Sequence, residues 1–118
     1  MPRRTRDEVL AEFHRLYDCF EAAIEAFQGL GTMWEREILS DHVATRDQML
    51  FWIALGKSTP SQILAGVHSA LADMRLGLKD MTRNRPDQAA LFHHRYEAIR
   101  GRPFKEDAAR QPKPETRP

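Results

Sequence analysis

The chain has 118 residues, a mass of 13.7 kDa and a formal net charge of +1, with 42% hydrophobic and 30% charged residues. Those values fit one small soluble domain and provide no global field that would favour nucleic acid or an anionic membrane. A single cysteine, Cys19, leaves no internal disulfide to form and fits a reducing, cytoplasmic setting.

No apolar run reaches the roughly 18 residues needed to cross a bilayer, and the start "MPRRTRDEVL" lacks the apolar stretch of a signal peptide. A domain this short buries a smaller share of its surface than a larger one, so self-association would help it.

The first element opens on "TRDE", where Thr5 stands three residues before Glu8 in capping-box spacing. Val9, Phe13, Leu16, Phe20, Ile24 and Phe27 then recur every three or four residues, with Leu10 and Tyr17 beside them, and "QGLGT" ends the run. The spacing places Cys19 on the polar flank of this helix, next to no group that would activate a thiol.

The second element, "MWEREILSDHVATRDQMLFWIALG", predicts a helix from Met33 to about Gly56. At about 100° per residue, Ile38, Leu39, His42, Val43, Met49, Leu50 and Ile53 share one side. Arg46 falls near the middle of that stripe, one turn beyond His42. A buried arginine needs a partner, and Asp18, Glu21 and Glu97 are the candidate carboxylates. The bland reading is a satisfied histidine with an arginine that reaches the bundle edge. Trp34 and Trp52 share another side, where they predict contact with the fourth helix or a partner subunit.

The third helix begins at "STPSQ", with Ser58 or Thr59 as cap and Pro60 at the first helical position. Its stripe is Ile63, Leu64, Val67, Leu71, Met74, Leu78 and Met81. A shorter fourth helix starts near Pro86 and carries Ala89, Phe92, Tyr96 and Ile99, ending at Gly101 and Pro103. From Arg102 onward little remains to bury, and a flexible tail over 102–118 is expected. No segment alternates with period two. The fold class expected is all-α: an up-and-down bundle of three long helices, each roughly 33–36 Å long, with a shorter fourth over residues 1–101.

The stretch "WEREILSDHVATRDQML" resembles the second-helix motif of the DinB/YfiT-like helical bundles. In that family a Trp precedes a short apolar run, then a His, an apolar-Ala pair and an acidic residue. Trp34, Ile38, Leu39, His42, Val43, Ala44 and Asp47 fit that pattern. "HHRYEAIRG" is similar to a later segment of the family, and the likeness covers about a third of the chain. The resemblance implies a four-helix bundle with a divalent metal held by three histidines, His42 first and His94 last, with His93 or His14 as a further ligand. The position four before His94, where the family has another ligand, is Ala90.

Read from the residues alone, the chain lacks Glu-x-x-His, His-x-x-x-His and His-Glu-x-x-His, and it has no phosphate loop or nucleophile elbow. No catalytic residue is assigned and no cofactor is expected, with zinc or nickel as the alternative. The basic clusters "PRRTR" and "HHRYEAIRGRPFK" are each closely followed by acidic residues, so a nucleic-acid accessory role ranks third, ahead of a pocket for a small apolar ligand near His42 and Arg46. The expectation is a small protein that works by contact, with itself as a dimer or with a protein partner. Its candidate binding residues are His42, Arg46, Trp34, Trp52 and Tyr96; the metal-binding bundle, with hydrolase or transferase activity, is the alternative.

Overall fold

The computed structural model describes residues 5–30 and 33–109, with backbone alone at 33–35, 37 and 38. The helices in chain order are α1 (Arg6–Phe27), α2 (Met33–Leu55), α3 (Pro60–Asn84), α4 (Pro86–Arg100) and the single turn α5 (Phe104–Asp107). The described residues contain no strand, so the all-α bundle stands.

Local signals set the helix starts. The Glu8 amide donates to Thr5 Oγ1 at 3.1 Å while the Thr5 amide donates to Glu8 Oε1 at 2.6 Å. At α3 the cap is Thr59, with the same reciprocal pair to Gln62 at 3.2 and 2.8 Å and Pro60 in the first turn. Each box satisfies two amides that have no partner within the helix. The last turn of α1 carries no basic residue of its own. Arg95 of α4 supplies one, donating to the carbonyls of Ala26 at 2.9 Å and Glu25 at 3.3 Å.

The core is built on α1, α3 and α4. All six stripe residues of α1 are buried, as are Val67, Leu71, Met74, Leu78 and Met81 of α3 and Ala89, Phe92 and Tyr96 of α4. Phe27 and Phe92 stack across the middle, ring centroids 4.4 Å apart. The closest association is between α1 and α3, with α4 on one side of that pair and α2 on the other, leaning mainly on α3. The backbones of α2 and α4 do not approach each other among the described residues. The cross-section is therefore a flattened rhombus with α1 and α3 on its short diagonal. The molecule measures 45 × 39 × 21 Å, and its thin dimension is about two helix diameters.

Several expectations need correction. Cys19 lies in the core, fully buried, because α5 folds over that flank of α1 and covers it. Residues 103–109, assigned to the tail from Arg102, instead pack back on the bundle and bury Phe104, Asp107 and Ala108. The remainder of that tail, 110–118, lies outside the described residues. Ile99 and Leu50, read as stripe positions, are exposed.

Candidate functional site

Helix α2 differs from its neighbours in how little of it is covered. Among its described side chains only His42 is buried. Leu39, Val43, Met49 and Ile53 pack half-buried against the core. Leu50, Phe51, Trp52 and Leu55 are exposed at 43%, 58%, 48% and 43%. The reason is visible in the sequence: apolar residues surround the helix over 49–55, and a rhombic packing covers one side of it. Phe51 and Trp52 meet edge to face at 5.9 Å, so the exposed rings brace one another.

Beside them, a groove of about 310 Å³ runs between α2 and α3, with Met49, Trp52, Ile53, Ile63 and Ala70 among its walls. Asp73 is the one charged side chain of its lining among the described residues. The chain from Gln48 to Ala72 holds one Lys, Lys57, and one His, His68, and no other charged residue. In a protein with 30% charged residues, this end of the α2–α3 hairpin is nearly free of charge.

His42 is 7% exposed and faces α1, with its ring centroid 5.8 Å from Phe20 and 5.9 Å from Phe27. Its buried Nε2 has no hydrogen-bond partner. Burial pushes its pKa below the ordinary 6.5, against the opposing pull of Asp41 and Asp73. Arg46 has the partner the sequence called for. Its Nη1 reaches Glu21 Oε1 of α1 at 3.3 Å, and its Nε reaches Asp47 at 3.3 Å. Glu21 also accepts from the Tyr17 hydroxyl at 3.1 Å, and burial together with that bond pushes the phenol up to about 12. Arg46 thus sits at the edge of the α1–α2 seam, partly in water, where such a pair contributes about 1 kcal/mol or less.

The residues singled out from sequence are not brought together. His93 and His94 are exposed on α4, while His42 lies between two phenylalanines of α1. The described residues hold no group of three His, Cys, Asp or Glu placed to bind a metal. The histidine set implied by the family resemblance is therefore not assembled. Tyr96, a candidate for contact, is fully buried, its ring packed on Phe92 and Phe104. Trp52 is exposed at the surface of α2, and the side chain of Trp34 lies outside the described residues.

A second cluster joins Tyr96, already singled out, to two residues that the sequence did not mark as a site, Arg100 and Asp107. The Tyr96 hydroxyl donates to Asp107 Oδ2 at 2.6 Å, and Arg100 Nε donates to the same oxygen at 2.8 Å. Burial alone would raise the Asp107 carboxyl, yet these two donors outweigh it and hold the group below the ordinary carboxylate range. Its residues belong to α4 and α5, and no local spacing foretells such a meeting. No described helix is long and apolar enough to cross a membrane. Comparison with known proteins yields no matching family model, no matching curated protein and no matching solved structure.

Proposed function

We propose that this protein works by contact and that its partner is a second copy of itself, joined through the nearly uncharged end of the α2–α3 hairpin. The observation that carries the reading is the exposure of Leu50, Phe51, Trp52 and Leu55 on a stretch without charge. Contiguous apolar side chains of this size favour burial, and aromatic anchors supply most of the affinity of a protein contact. A two-fold dimer sets the same patch against itself, so any charge on the patch would meet its own image. A patch almost free of charge avoids that repulsion, and the neighbouring groove offers a seat for the partner's rings.

Sedimentation velocity over a concentration series tests this. The chain is expected to dimerise in the micromolar range, and Trp52→Glu is expected to weaken the dimer by about 30-fold or more. A chain that stays monomeric at about 100 µM, or a Trp52→Glu variant that dimerises as well as the parent, overturns it.

A further inference from the structure

Residues 103–109 are held against the bundle by donors from three helices, α1, α3 and α4. Arg15 Nη1 donates to the Asp107 carbonyl at 2.6 Å, and its Nη2 donates to the Ala109 carbonyl at 2.9 Å. Arg75 Nη2 donates to the Ala108 carbonyl at 2.5 Å. Three successive carbonyls are thus read by two guanidinium groups from different helices. The Asp107 carboxylate takes Tyr96 and Arg100, and the Cys19 thiol donates to the Asp107 carbonyl at 3.4 Å. The Phe104 ring stands edge-on to Phe92 at 5.6 Å and to Tyr96 at 5.0 Å.

We propose that this cleft between α1, α3 and α4 is a peptide-binding site filled here in cis. Its ligand in trans is a short segment with an aromatic residue followed three positions later by aspartate and then a small residue.

Three features support a site rather than a plain extension of the core. One receptor group is anchored independently of the segment: Arg15 is gripped by Glu12 through two bonds of 2.9 and 2.8 Å, which leaves its outer donors aimed at the backbone of whatever lies there. The ligand side is a single helical turn, too short to be stable alone. The link between them, Gly101 to Pro103, is wholly exposed, and Gly101 is left-handed at φ 78°, a conformation that glycine adopts freely. The link places a hinge outside α4, so lifting the segment releases Tyr96 and Arg100 from Asp107 and asks no change of the α4 backbone. The recognised chemistry is one carboxylate, one aromatic ring and a run of free carbonyls, all matched by residues already in place. This surface is separate from the α2–α3 end.

The test uses the full-length chain carrying Phe104→Ala and Asp107→Asn, which weakens the cis segment, and a fluorescein-labelled peptide of residues 103–109. The peptide is expected to bind this variant with submillimolar affinity. It should bind the parent chain about 10- to 100-fold more weakly, because a cis competitor on a short link acts at millimolar effective concentration. Labelled peptides carrying either substitution should not bind. In the parent chain, backbone amides of 104–109 should exchange with solvent well ahead of those in the middle of α4.

The proposal is overturned by a folded variant that does not bind below about 1 mM, or by equal affinity for variant and parent. Loss of the helical circular dichroism signal in the variant also overturns it, because the segment would then belong to the cooperative core. Exchange over 104–109 as slow as in α4 has the same meaning.

Discussion

His42 is the residue where sequence and structure meet most closely. Its place on the apolar side of α2 is legible from spacing, but its surroundings are not, because Phe20 and Phe27 belong to another helix. A buried imidazole with an unpartnered Nε2 costs stability and gives no compensating bond. Its pKa lies below 6.5 in the folded protein, so the unfolded chain binds more protons as the medium turns acid. Stability is whole above about pH 6.5 and falls as pH drops from there towards the lower folded value. Urea midpoints measured at about pH 7.5 and about pH 5 should therefore fall more for the parent than for His42→Leu. At the higher pH, His42→Leu is expected to be as stable as the parent or about 1 kcal/mol more stable. Parallel pH curves for the two proteins would remove His42 as the cause. Arg46 shows the complementary case: the need for a carboxylate was legible, and Glu21 was one of three candidates, yet which of them answers depended on how α1 and α2 lie together.

At the scale of the element, α2 is an apolar helix attached along one side. The core cluster draws on α1, α3, α4 and α5, and α2 contributes half-buried apolar side chains at its edge together with the buried His42. Few buried contacts mean a low local opening energy. Amides in the middle of α2 are accordingly expected to exchange at least about tenfold faster than those in the middle of α1 and α3, measured by deuterium uptake in dilute solution. Equal protection of the three helices would count against the weak attachment. Helix starts and stops were readable in the sequence because they rest on neighbours three or four residues apart: Thr5 with Glu8, and Thr59 with Gln62. The exposure of Leu50 and Ile99 was not readable, because a helical stripe says which side is apolar and not whether another helix arrives to cover it. Helix α5 escaped notice for a related reason. Its single turn has no periodicity, and the donors that hold it come from residues 15, 75, 96 and 100.

For the whole molecule, flatness explains the uncovered surface. The radius of gyration is 15.4 Å, above the roughly 13 Å expected of a compact domain of this length. Among α1 to α4, the outer helices of the rhombus, α2 and α4, have two helical neighbours each, while α1 and α3 have three. The proposed dimer covers one of those outer edges and ties folding to concentration. Under that proposal, a tenfold rise in protein concentration should raise the thermal midpoint by about 2–4 °C, read by circular dichroism. A midpoint independent of concentration would mean that the exposed rings of α2 gain nothing from a second copy.

The sequence by itself determined the helices, their caps and the apolar faces of α1 and α3, because each of these depends on contacts a few residues apart along the chain. It also determined that the end of the α2–α3 hairpin carries little charge, Lys57 alone among Lys, Arg, Asp and Glu from Gln48 to Ala72. Only the tertiary structure decided that His42 meets two phenylalanines rather than other histidines, and that Cys19 and Tyr96 lie beneath a returning segment. Only the tertiary structure, too, leaves Phe51 and Trp52 uncovered. Those outcomes depend on which helix packs against which, and helix packing is settled by the fit of many side chains at once, not by the spacing along any one helix.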